Sequence, residues 1–182
     1  MSNANGKSWE QYMGANASLV GKDNAYGVAL YQTYRNRNPY DDNADGFSEL
    51  GKLNMNTFGL RGYYRPTQSG RLNVEYHTTN EFRRGGNKFS MEPFETDITE
   101  QTKHVINSGG VSYDQFMGDY KHKLSVFASA QHVDRNSYYG AQQDPNAYGK
   151  TKDLTWIAGA TYTGDFDKVI FSPAQFTAGA EY

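Results

Sequence analysis

The chain has 182 residues, a length suited to one domain. Only 37% of residues are apolar while 15% are aromatic, and the mean hydropathy is −0.83; this is too aromatic for a disordered chain and poor in Leu and Ile for a soluble core. The net charge of −2 leaves no electrostatic footprint for nucleic acid, and the absence of cysteine excludes disulfides, thiolate zinc sites and cysteine nucleophiles.

No run of about 18 apolar residues exists, which excludes a membrane-spanning helix. Residues 1–7 lack the basic and then apolar pattern of a secretory signal and read as an added leader. From residue 8 to 182 the chain alternates with a period of two, which helices do not produce.

In the first expected strand Trp9, Met13, Ala15, Ala17 and Leu19 share one face, opposite Glu10, Tyr12, Asn16 and Ser18. The second sets Tyr26, Val28, Leu30 and Tyr34 against Gly27, Ala29, Thr33 and Arg35. The third, over 53–65, sets Phe58, Leu60 and Tyr64 against Thr57, Gly59 and Arg61. The fourth alternates Leu72, Val74 and Tyr76 with Asn73, Glu75 and His77. The fifth, over 105–116, sets Val111 and Tyr113 against Ser112 and Asp114. In the sixth Leu124, Val126, Ala128 and Ala130 oppose Lys123, Ser125, Ser129 and Gln131. The seventh has Leu154, Trp156, Ala158, Ala160 and Tyr162 opposite Thr155, Gly159, Thr161 and Thr163. The eighth has Phe176, Ala178, Ala180 and Tyr182 opposite Thr177, Gly179 and Glu181.

Short links at 21–24, 67–70 and 117–120 alternate with long polar loops near 38–52, 84–104 and 138–153, and an intermediate link near 166–175 contains Pro173. Short turns at one end and long loops at the other are the asymmetry of outer-membrane barrels. Aromatics near strand ends (Trp9, Tyr26, Tyr34, Tyr63, Tyr64, Phe116, Tyr138, Tyr139, Tyr182) fit interfacial girdles. The expected fold is therefore all-β: an antiparallel up-and-down meander of about eight strands, a segment of a transmembrane β-barrel or a small closed one. A soluble β-sandwich binding module also alternates, but the many alanines on the apolar face would make its core thin.

Several residues are candidates for chemistry. Asp41, Asn43 and Asp45 stand at positions 1, 3 and 5 of a calcium loop, Gly46 supplies the turn and Glu49 stands at position 9. Position 12 is Lys52 rather than a bidentate Glu, so a solvated acidic loop tip is the competing reading. Arg83, Arg84 and Lys88 are placed to draw an anionic ligand into the 84–104 loop, or to form a solvated basic turn. Tyr138 and Tyr139 stand at the mouth of the next long loop as further ligand-loop candidates. His77 and His104 flank loop 84–104, where haem or metal binding competes with an isolated polar strand position; His122 and His132 carry no ligand spacing. Ser125 or Ser129 with His132 is the nearest approach to a nucleophile and base, and no orienting acid singles it out. Catalysis is not expected.

The segments Asn80-Glu81-Phe82-Arg83-Arg84-Gly85-Gly86-Asn87, Pro93-Phe94-Glu95 and His104-Val105-Ile106-Asn107-Ser108-Gly109-Gly110 are followed by Ser137-Tyr138-Tyr139-Gly140 and the run from Asp144 to Asp153. Together they resemble the barrel of TonB-dependent outer-membrane receptors of the Bacteroidetes type, from about residue 25 onward. The resemblance implies part of a 22-stranded barrel closed by a plug, in the outer membrane of a Gram-negative bacterium. It implies import of a scarce ligand (siderophore, haem, cobalamin or glycan), with outer-membrane lipid and a TonB-type energy transducer as partners. No cofactor is required, and calcium is the one candidate. The alternative is a complete eight-stranded barrel with an adhesion or structural role, supported by the ending Phe176-x-Ala178-x-Ala180-x-Tyr182. Gly27, Gly59, Gly109, Gly159 and Gly179, placed on the polar face, favour a wall of a wider pore.

Overall fold

The computed structural model describes residues 9–182; the leader expected over residues 1–7 lies outside them. Eight strands follow in chain order: β1 (Glu10–Val20), β2 (Tyr26–Arg37), β3 (Lys52–Thr67), β4 (Gly70–Gly86), β5 (Ile98–Met117), β6 (His122–Ala141), β7 (Tyr148–Val169) and β8 (Ser172–Glu181). Each pairs antiparallel with the next, in one sheet of order β1 to β8. The expected meander is what forms. Its first and last strands do not pair with each other, so the sheet is open and the small closed barrel is not what the chain adopts. Nor do the described residues form the second sheet that a sandwich needs. No helix among them is long and apolar enough to cross a membrane.

The four short turns share one end of the sheet. Asp23 and Asn24 sit at φ 59 and 54, and Gly118 and Asp119 at φ 57 and 55, the left-handed region that Gly, Asn and Asp enter at least cost. Gln68-Ser69 and Ile170-Phe171 are two-residue turns, closed by the pairs Thr67 with Gly70 and Val169 with Ser172. The intermediate link expected near 166–175 is thus a tight hairpin. Pro173 lies inside β8, an edge strand, where a missing donor is tolerated.

Loops 38–51, 87–97 and 142–147 share the other end. The latter two are shorter than the alternation suggests. Arg84 pairs with Gln101, Gly86 with Thr99 and Tyr138 with Tyr148, so the strands continue beyond the apolar pattern. Near the loops both faces are polar, and alternation no longer marks a strand.

Directly opposed residues share a face, and the register joins all eight apolar stripes. One row runs Leu19, Val28, Gly62, Val74, Val111, Ala128, Ala158, and the next runs Ala17, Leu30, Leu60, Tyr76, Gly109, Ala130, Trp156. Gly109 therefore belongs to the apolar face and Gly110 takes the polar one, a correction to the reading above. The girdle also divides. Tyr26, Tyr34 and Tyr64 stand on the apolar face, whereas Tyr63, Phe116 and Tyr139 stand on the polar one.

This sheet has almost no core. Leu53 and Tyr138 are its buried hydrophobic side chains, while Leu19, Leu30, Tyr76, Val111, Val126, Leu154 and Trp156 are exposed along the stripes.

Candidate functional site

The polar face is concave. A trough of about 520 Å³ opens on it, lined by Ser18, Ala29, Arg61, Asn73, Glu75 and Ser129 among others. Most strand ion pairs lie on this face: Glu10 with Arg35, Arg61 with Glu75 (3.5 Å), Arg83 with Glu81 (2.9 Å) and Lys123 with Asp114 (3.0 Å). The exception, Lys152 with Asp134 (3.3 Å), sits on the apolar face toward the long loops. A sequence reading misses this ladder, because most partners stand on different strands and meet only once the register is set.

Three glycines of the polar face lie opposite aromatic rings: Gly27 opposite Tyr63, Gly59 opposite Tyr31 and Gly159 opposite Phe127. Each ring covers its glycine so closely that a Cβ there would collide with it, at 2.7 Å for Phe127 over Gly159. The expected small polar face is therefore paved by rings lying flat on the backbone. One of them enters the polar network through its hydroxyl, since Tyr31 Oη lies 2.5 Å from His77 Nδ1 and His77 Nε2 lies 3.7 Å from Glu75.

The histidines do not gather. His77 and His104 lie within β4 and β5 rather than at the loop mouths, and His104 Nδ1 sits 3.4 Å from Glu81. His122 bonds Tyr162 Oη at 2.8 Å on the apolar face near the short turns. His132 stands on the apolar face opposite Leu154, whereas Ser125 and Ser129 point to the polar face and Ser125 donates to Asp114 at 2.5 Å. The serine–histidine pair offered by the sequence is thus split across the sheet, because their spacing is odd.

At the long-loop end, the structure brings Asp41, Asp45 and Glu49 together, with one ligand atom of each within 4.8 Å of the others. Asn43 is bonded to one of them: its Oδ1 accepts the Asp45 N–H (3.0 Å) and its Nδ2 donates to Asp45 Oδ2 (3.1 Å). Asp41 accepts the Gly46 N–H (2.8 Å), Asp45 that of Phe47 (2.8 Å) and Glu49 that of Asp42 (2.6 Å). The loop caps its own backbone, and the three carboxylates of the expected set converge.

The basic candidates separate. Arg84 is 8% exposed and holds the next loop from below, donating to Met91 O at 2.8 Å with its guanidinium over Phe89. Arg83, one residue earlier, is exposed on the polar face. Lys88 donates to Asp97 at 2.9 Å, and Asn87 adds a bond to the same carboxylate at 2.6 Å. The hydrogen bonds from Lys88 and Asn87 hold Asp97 below the usual carboxylate range. A cavity of about 460 Å³ between the first two long loops is lined by Arg37, Lys52, Arg83, Arg84, Glu49 and Glu100. Tyr138 is fully buried, its hydroxyl on Asp144 O at 3.0 Å and its ring edge-on to Tyr148. Tyr139 is exposed on the polar face, bonded to Arg135. Of the five ligand-loop candidates, Arg83, Lys88 and Tyr139 present surface, while Arg84 and Tyr138 hold loops in place.

No protein-family description, no curated protein and no solved structure matches the chain.

Proposed function

We propose that this sheet is a wall of an outer-membrane β-barrel, and that the barrel is a transport receptor of the TonB-dependent kind whose long loops meet a scarce ligand. The observation that carries the membrane reading is the pair of faces: an apolar stripe across all eight strands with no core over it, and a concave polar face with the ion pairs. A monomeric soluble protein exposes patches of a few hundred Å² at most, so a continuous stripe needs an apolar medium. From Leu154 to Phe166 the stripe runs about 40 Å along the strand, or about 30 Å of height at a tilt near 40°, enough for a barrel's apolar band. The transport reading rests on the sequence resemblance together with the loop-end cavity and its exposed Arg83.

Circular dichroism and sedimentation of the chain, with and without mild detergent micelles, test the membrane reading. A β-rich particle that is dispersed only in micelles supports it. A compact β-rich monomer in plain buffer overturns it in favour of a soluble binding module. Calcium at Asp41, Asp45 and Glu49 belongs to the same proposal, at millimolar affinity because the ligand set is incomplete. Titration calorimetry on the wild type and on D41N/E49Q checks it, and equal heats from both would remove calcium from the account.

A further inference from the structure

Charge on the apolar face is confined to its two margins. Between them the rows through Leu30 and Val28 carry no acidic or basic side chain, and the imidazole of His132 stands one row above. On the margin nearest the long loops, one row brings Lys103 of β5, Asn136 of β6 and Lys150 of β7 side by side. The row beneath holds Val105, Asp134 and Lys152, and Leu154 and Trp156 follow on β7. All three lysines are exposed. Asp134 pairs with Lys152, while Lys103 and Lys150 have no carboxylate partner among the described residues. Adjacent strands are about 4.8 Å apart, so Lys103 and Lys150 stand about 10 Å apart on neighbouring sides of one strand, and their stems reach a common anion.

We infer that Lys103, Lys150 and Lys152 form a site for the phosphate of a lipid headgroup, with the lipid's acyl chains lying on the apolar stripe beneath. Charge complementarity fixes the occupant. The cations continue directly into apolar surface at Leu154 and Trp156, which suits a molecule that is anionic at one end and hydrocarbon at the other. A soluble anion would find its cations in the concave trough or the loop cavity, both on other surfaces. This inference rests on the membrane-barrel reading.

The test uses the full chain folded in zwitterionic micelles, with phosphatidic acid and phosphatidylcholine as probes. One readout is lipid retention by native mass spectrometry; the other is quenching of Trp156 by brominated acyl chains in a W9F background. The wild type is expected to retain phosphatidic acid preferentially. Each Lys→Gln change at 103, 150 or 152 is expected to weaken retention about fivefold, equivalent to about 1 kcal/mol per lysine. K168Q, at the opposite margin, is expected to leave it unchanged. Should the K103Q or K152Q variant fail to fold, K150Q alone with the quenching readout decides. Equal retention of both lipids by a well-folded chain overturns the headgroup site and leaves the barrel intact. Displacement of the lipid by inorganic phosphate overturns it in favour of a soluble anion. A chain that stays unfolded or ignores micelles overturns both readings.

Discussion

At the scale of single residues, the polar face depends on glycine in a way that composition does not disclose. Tyr31 lies over Gly59 and bonds His77, so one glycine supports both a ring contact and a polar link between β2, β3 and β4. Gly59→Val forces the ring away and is expected to cost about 1–3 kcal/mol. Tyr31→Phe, which keeps the ring and removes the bond, is expected to cost about 1 kcal/mol. Denaturant titrations in micelles measure both, and a Gly59→Val protein as stable as wild type would mean that the ring is not held there. The charge on Asp97 has a pH signature. Its carboxyl lies below the usual range because Lys88 and Asn87 bond it, so its contribution is complete above the unfolded value of about 3.9 and disappears as pH falls through the lower folded value. Limited proteolysis of loop 87–97 is expected to begin only in that acidic window, and K88M is expected to move its onset to higher pH.

At the scale of elements, each strand has two environments separated by one residue. Ala128 and Ser129 are sequence neighbours on β6, yet the register puts Ala128 in the apolar row and Ser129 opposite Gly110 on the polar face. Ala128→Arg is expected to destabilise the folded chain by about 2–4 kcal/mol in micelles, near the middle of the band, and Ser129→Arg by less than about 1 kcal/mol. Equal penalties at both positions would remove the distinction between a lipid face and a wet face. The loops obey a different logic. Arg84 and Tyr138 looked like ligand contacts because they stand beside loops, but both are buried beneath them. What decides their role is the chain folded over them, and strand alternation carries no record of that.

At the scale of the molecule, the open sheet leaves one edge of β1 and one of β8 without a neighbour. An edge presents unpaired N–H and C=O groups and is drawn toward other strands. Because the number of strands is even, β1 and β8 run in opposite directions, so further strands or a second copy can continue the meander with the long loops on one side. Hydrogen exchange in micelles is expected to be slowest in β4, β5 and β6 and fastest on the outer edges of β1 and β8. Uniform protection across all eight strands in a monomer would instead indicate closure.

The sequence by itself determined the eight strands, the face of nearly every strand residue and the separation of short turns from long loops. Those follow from local rules: side chains alternate along a strand, and left-handed turn positions select Gly, Asn and Asp. The misplacement of Gly109 shows the limit of that logic, since a glycine carries no side chain to mark its face. Only the tertiary structure decided that the sheet is open, that rings pave the glycines, and that Asp41, Asp45 and Glu49 converge. Register and loop folding bring together residues tens of positions apart, and no local pattern records which of them will meet.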